Sequence, residues 1–306
     1  MSTPSVAARW GTRALIGLLN RLQRLPMGVQ ALLGRALGRL LYAVAGARRR
    51  VALRNVALCL PELDTSAREA LVRQHFQWLA RSLLERGLLW FAPSERLKRL
   101  IQVEGDIGFA ERSSQPVMWL VPHFVGLDVA GVATQLFQTR TVASIYQTQS
   151  NPVFDDAMRQ GRVRFGLARV FSRSERALPL VRAIRRGAVF FNLPDMDFGI
   201  KDAAFVPFFG MQAATLLAPA RMARSLGMAV QPVVAELLPG GQGYRVRFMP
   251  PWQDFPGEQN DEAAAARMNQ WIESEIRRNP AQYLWVHKRF KTRPPGETSV
   301  YAGPGR

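Results

Sequence analysis

Val117-Met118-Trp119-Leu120-Val121-Pro122-His123-Phe124-Val125-Gly126-Leu127-Asp128 decides the fold class and carries the first reactive group. Val117 to Val121 is a short, unbroken apolar run, which predicts a buried strand. Residues 126 to 137 follow with the spacing of a helix. His123 therefore stands at a strand's exit, and Asp128 falls in the first turns of the next helix. An imidazole placed there, with a carboxylate to orient it, is a candidate general base. The chain has 3 histidines, so few other groups can act as a base near neutral pH. Neither Ser nor Cys follows the strand as a nucleophile, so direct transfer fits better than a covalent intermediate. A histidine and an aspartate five residues apart also occur by chance, so the pair must be weighed with its surroundings.

Outward from this stretch the same alternation recurs. Runs at 141–146, 168–171, 188–193, 229–238 and 244–249 read as strands. Stretches at 152–165, 175–186 and 215–226 read as helices between them. Pro239-Gly240-Gly241-Gln242-Gly243 is a hairpin loop between the last two strands. A helix at 66–89 precedes the first strand and holds His75, read as a packing residue. Another closes the body at 261–279. The pattern predicts an α/β fold, a mostly parallel central sheet flanked by helices. No internal repeat, P-loop or strand-linked GxGxxG is present, so nucleotide binding has no support.

The charge is uneven. Of the 41 basic residues only Lys98, Lys201, Lys288 and Lys291 are lysines, and the net charge is +18. Arginine's fixed fork suits phosphate and carboxylate, so an anionic partner is expected. Arg9, Arg13, Arg21, Arg24, Arg35, Arg39, Arg48, Arg49, Arg50 and Arg54 all precede the first acidic residue, Glu62. The N-terminal segment is apolar but interrupted by these arginines, so neither a plain membrane span nor a cleavable signal fits it. Its helical wheel gathers arginines on one side and Val29, Leu33, Leu37, Leu40, Leu41 and Val44 on the other, with Pro26 between two helices. That is the pattern of a basic amphipathic segment, membrane-anchoring or lying on an anionic membrane surface. A helix packed on the protein's own core is the plainer alternative. One cysteine, Cys59, excludes an intrachain disulfide, and no metal site is indicated. The expected organisation is a basic segment at 1–50, one α/β domain at 51–293, and a loosely ordered Pro- and Gly-rich tail at 294–306.

Three further landmarks follow the histidine. Leu193-Pro194-Asp195-Met196-Asp197-Phe198-Gly199 leaves a strand, and Phe205-Val206-Pro207-Phe208-Phe209-Gly210 comes soon after. Gln282-Tyr283-Leu284-Trp285-Val286-His287-Lys288-Arg289-Phe290-Lys291-Thr292-Arg293-Pro294 is the third. In this order the set resembles the late acyltransferases of bacterial lipid A biosynthesis. These belong to the lysophospholipid acyltransferase superfamily, defined by HxxxxD or HxxxxE. The resemblance runs from about Ala52-Leu53-Arg54-Asn55 to Pro294.

The resemblance implies an enzyme on the cytoplasmic face of the inner membrane. It would move a fatty acyl chain from acyl carrier protein to a hydroxyl of a lipid A precursor, with acyl-acyl carrier protein as co-substrate and no cofactor or metal. It implies His123 as base and Asp128 as its partner. Arg159 and Arg162 would hold phosphate or polarise the carbonyl, and Asp195, with Asp197 nearby, would organise those arginines. A turn would equally explain the two aspartates, and a solvated helix face the two arginines. Phe124, Phe208 and Phe209 are candidates either for an acyl tunnel or for core packing. The partners implied are acyl carrier protein, the lipid A precursor and an anionic membrane surface, with no nucleic acid. The alternatives are acylation of another lipid (a lysophospholipid, an ornithine lipid or a glycolipid) or a non-enzymatic membrane-binding protein.

Overall fold

The computed structural model describes residues 5–175 and 177–302. Four helices open the chain: α1 (Val6–Leu22), α2 (Met27–Val44), α3 (Gly46–Cys59) and α4 (Thr65–Phe91). Pro26 caps α2, where its fixed φ and missing N–H are tolerated. Then come α5 (Ser94–Leu100), β1 (Ile101–Gly105), α6 (Phe109–Arg112), β2 (Val117–Leu120), α7 (Leu127–Leu136) and β3 (Val142–Tyr146). Next are α8 (Pro152–Val163), β4 (Ala168–Ser172), α9 (Leu178–Arg185), β5 (Val189–Asn192), β6 (Ala203–Phe208) and β7 (Met211–Leu216). The chain ends with α10 (Ala218–Leu226), β8 (Ala229–Leu237), β9 (Tyr244–Phe248) and α11 (Asp261–Arg278).

A 7-stranded sheet has the order β1-β9-β8-β2-β5-β3-β4. Only the β8–β9 pair is antiparallel, so the expected α/β class with a mostly parallel sheet holds. β2 lies at the centre, and its residues are buried on both faces. Met118 and Leu120 join the core under α9, α10 and α11, while Val117 and Trp119 join the core under α4 and α7. Burial of each such side chain contributes about 1.5–3 kcal/mol. The Trp119 indole N–H donates to Gln231 Oε1 at 2.9 Å, so the buried polar atom is satisfied.

Two elements differ from expectation. β1 is an edge strand with alternating polar residues, and no strand is expected there from its composition. β6 and β7 form a separate antiparallel hairpin through Phe209 and Gly210, both with positive φ, so Thr215 lies in a strand and α10 begins three residues later. Such a two-residue turn with both φ values positive matches the twist of a hairpin.

α2 lies against α4 through small residues: a Cβ at Gly38 would sit 2.4 Å from Gln77 Cα, and one at Gly34 would sit 2.7 Å from Arg81 Cα. Leu32, Leu33, Leu40 and Val44 of α2, with Val6, Trp10, Leu15 and Leu18 of α1, face outward. Among the described residues, no helix is long and apolar enough to cross a membrane. The tail is tied to the body as far as Tyr301, where a loose end is expected from its composition. The Tyr301 hydroxyl donates to Asn55 Oδ1 at 2.5 Å and accepts the Phe290 N–H at 3.1 Å, and Arg54 donates to Val300 O.

Gly38→Ala gains helix propensity of about 1 kcal/mol but forces α2 away from the α4 backbone. The expected net effect is a loss of about 1–3 kcal/mol, read as a lowered denaturation midpoint. His75 supplies a second test. It is fully buried, donates Nδ1–H to Ala281 O at 3.1 Å, and leaves Nε2 unpartnered. Burial pushes its pKa down from 6.5 to about 4 against that hydrogen bond. The unfolded chain therefore takes up the proton first, and stability is lost as pH falls from 6.5 toward 4, at about 1.4 kcal/mol per pH unit. His75→Gln is expected to lose less stability between pH 7 and pH 5 than the natural chain, measured by denaturant titration at each pH.

Candidate active site

The site is built at the C-terminal ends of two neighbouring parallel strands. In the β2–β5 register Leu120 faces Asn192, and the Val121 N–H continues the ladder to Asn192 O at 2.9 Å. Three residues beyond each partner stand His123 and Asp195, so the two chains leave the sheet abreast. Asp195 Oδ1 accepts from His123 Nδ1 at 2.6 Å, and Oδ2 accepts the His123 backbone N–H at 2.9 Å. One carboxylate thus grips both the ring and the main chain of the same residue. Asp195 is buried, which by itself raises its pKa. The nearby His123 charge and the two hydrogen bonds outweigh burial and hold the carboxyl below the usual Asp value. With Nδ1–H committed to Asp195, the imidazole lone pair sits on Nε2.

The orienting contact assigned from sequence to Asp128 is therefore made by Asp195. Asp128 points elsewhere because α7 begins at Leu127 and turns its first residues toward α4 and α8. There Arg162 donates through Nε at 3.2 Å and Nη2 at 2.9 Å to Asp128 Oδ1, and Arg86 Nε lies 3.5 Å from Oδ2. Burial raises the Asp128 pKa, and the Arg162 and Arg86 charges reverse that and hold it low. Asp128, not Asp195, is thus the carboxylate that organises an arginine. Arg159, one turn before Arg162, is exposed and lies 3.5 Å from Asp156 on the outer side of α8.

Asp197 has its carboxylate filled by the chain itself. Oδ1 accepts from Gly199 N–H and Thr292 Oγ1, and Oδ2 accepts Thr292 N–H at 2.6 Å. It closes a turn and stitches the 193–199 loop to the C-terminal segment. That segment also runs along His123: Leu284 N–H donates to His123 O at 3.0 Å, and Val125 N–H donates to Gln282 O at 2.8 Å. Two groups near the site escaped the sequence reading. Arg86 lies far away in the chain on α4, with nothing local to mark it. His287 does stand in a quoted landmark, and its Nε2 accepts the Asp197 N–H at 3.2 Å.

An apolar cleft opens beside the polar cluster, between α4, α7, α8 and strands β3 to β5. Asp128 and Arg162 form its polar end, and Trp90, Val132, Ile145, Val170 and Phe191 line its depth. Gly131 also faces it, and a Cβ there would meet nothing within 4 Å. Phe124 and Phe208 are instead buried in the core with Tyr283 and Phe290, and Phe209 packs on their edge. These aromatics support the site from below and do not line the cleft. Among the described residues, no group of three or more His, Cys, Asp or Glu is placed to hold a metal ion.

Comparison with known proteins places this geometry in a family. The family model of the bacterial lipid A biosynthesis acyltransferases matches residues 3–292. A lipid A biosynthesis palmitoleoyltransferase of Escherichia coli (strain K12) is 32% identical over 95% of this chain and 94% of its own length. A lauroyltransferase of the same pathway and strain is 32% identical over 95% of both chains. A myristoyltransferase from that strain is 31% identical over 95% of this chain and 88% of its own. With the match spanning the histidine, the aspartate loop and the C-terminal segment, the chain belongs to the bacterial lipid A biosynthesis acyltransferase family.

Proposed function

We propose that this protein transfers a fatty acyl chain from acyl carrier protein to a hydroxyl of a lipid A precursor, working at the cytoplasmic face of the inner membrane. The observation that carries this reading is the His123–Asp195 pair standing beside an apolar cleft, in a chain of this family.

The chemistry follows from the protonation pattern. His123 Nε2 takes the proton of the acceptor hydroxyl as its oxygen bonds to the thioester carbonyl carbon. Asp195 stays ionised and stabilises the imidazolium that forms. As the C–S bond breaks, the leaving thiolate takes that proton from Nε2, and His123 returns to its starting form. The cleft takes the acyl chain, with its carbonyl toward the polar end. Arg162 and Arg86 bring two positive charges against the single carboxylate of Asp128, leaving the entrance net positive. That balance suits a phosphate on the acceptor or on the carrier's prosthetic arm.

The surface supports the same partners. An acidic carrier protein suits a chain of net charge +18. α1 and α2 present large apolar side chains interleaved with Arg13, Arg35 and Arg39, a combination that favours an anionic lipid surface.

Two measurements test this reading. The purified chain is incubated with acyl carrier proteins of several chain lengths and a tetra-acylated lipid A precursor, and mass spectrometry follows the gain of one acyl chain. His123→Ala is expected to abolish the gain. Asp195→Asn, which releases the tautomer, is expected to lower kcat about 10²–10⁴-fold. An undiminished gain from His123→Ala overturns the assignment of the base. In the same assay Gly131→Phe, which fills the cleft, is expected to shift donor preference toward shorter chains while leaving transfer of the shortest donor intact. An unshifted preference would remove the acyl chain from this cleft.

A further inference from the structure

His287 is the third histidine of the chain, and it stands in the same frame as His123. The loop that holds His123 through Asp195 holds His287 two residues later, through the Asp197 N–H. From the other side Asn55, buried in α3, donates to Trp285 O and His287 O, both at 2.7 Å. Leu284 N–H is bonded to His123 O, and His287 N–H to Leu284 O at 3.1 Å. The backbone of His287 is thus held by Asn55 and Leu284 and its ring by Asp197 N–H, close enough to His123 to feel its charge.

The hydrogen bond from Asp197 settles where its proton lies. A backbone N–H only donates, so Nε2 must offer a lone pair. The ring is then neutral, and its one proton is on Nδ1. The surroundings agree: burial first, and repulsion from a charged His123 next, push the pKa of His287 down to about 4. Among the described residues Nδ1 has no hydrogen-bond partner. Unlike His75 Nε2 it is not sealed away, and the residue is partly open to solvent. A rigid, neutral ring with one free N–H beside a general base is placed to bind an oxygen that gains negative charge.

We infer that His287 is a second substrate-facing histidine, which presents its Nδ1–H to the carbonyl oxygen of the acyl thioester as that oxygen becomes an oxyanion beside His123. The inference rests on the acyl-transfer reading above. No proton leaves His287 in the step. It donates a hydrogen bond while His123 alone moves the proton.

Two substitutions separate this role from a structural one. Asn places its amide nitrogen near the position of imidazole Nδ1, and Gln places its amide near Nε2. His287→Asn therefore keeps the proposed donor and loses the acceptor for Asp197 N–H, whereas His287→Gln does the reverse. His287→Gln is expected to lower kcat about 10²–10³-fold with KM little changed, and His287→Asn is expected to retain much more kcat. If Gln is the better variant, the ring serves only to hold Asp197 and the inference fails. Heteronuclear NMR of the imidazoles in the full-length chain reads the tautomer without any substrate, and 3 histidines make assignment by single substitution direct. A proton on Nδ1 at pH 7 is expected, and a proton on Nε2 overturns the inference. A natural chain that shows no acyl transfer overturns both readings. A working natural chain with the reversed variant order overturns this one alone.

Discussion

The register of β2 against β5 is the constraint on which the rest of the site depends. His123 and Asp195 lie far apart in the chain, yet each leaves its strand three residues after the paired Leu120 and Asn192. A one-residue slip would turn every side chain of β5 to the opposite face of the sheet. It would also withdraw the only carboxylate that reaches His123 Nδ1 among the described residues. The slip is opposed strongly because β2 is buried on both sides, with Met118, Trp119 and Leu120 all fully enclosed. The packing of two cores therefore fixes the geometry of one hydrogen bond. The bond in turn makes the burial of Asp195 tolerable, since a buried carboxylate without partners carries a penalty of several kcal/mol.

Around that bond the site is assembled from chain segments that meet only in the folded state. Asn55 on α3 has all its amide groups occupied, by Trp285 O, His287 O and the Tyr301 hydroxyl. Asp197 joins the 193–199 loop to Thr292, and Leu284 and Gln282 run beside His123 and Val125. Polar side chains bonded mainly to backbone define positions more tightly than apolar contacts do, because each bond has a narrow range of distance and angle. The arrangement explains why a segment so late in the chain belongs to a site whose histidine lies near the middle. Beneath it, Arg289 is buried and donates to Ala214 O and Thr215 Oγ1, tying the β7 strand to the same segment.

Much of this was legible in the sequence, and the rest was hidden for identifiable reasons. β2, β5 and β8 were legible because strands buried on two faces are apolar nearly throughout, and β9 because Tyr244, Val246 and Phe248 alternate with Arg245 and Arg247. β1 was not, since an edge strand carrying Gln102 and Glu104 loses that signature. The hairpin of β6 and β7 was obscured because Phe209 and Gly210 form its turn inside an apolar run, and a bulky residue at positive φ is a rare turn former. His123 could be singled out as one of few histidines at a predicted strand end. The identity of its Nδ1 partner could not. HxxxxD is a local pattern, whereas the bond to Asp195 is set by strand order, which places β5 next to β2 although β3 and β4 come between them in the chain. Asp128 and Asp195 both stand out in the sequence, but only the fold shows that Asp195 bonds His123 Nδ1 and Asp128 bonds Arg162.

The two carboxylates differ in a way that bears on how charge is distributed at the entrance. Asp195 is matched with one imidazole, so under the proposed mechanism the pair would carry one negative charge at rest and none once Nε2 is protonated. Asp128 is matched with two permanent cations, so its cluster carries one positive charge throughout. Arg86 and Arg162 are each about a quarter exposed, so water screens that charge without removing it. An anionic group seated against Arg162 and Arg86 would neutralise that surplus, so the cluster suits a phosphate without drawing on the separate carboxylate that holds His123.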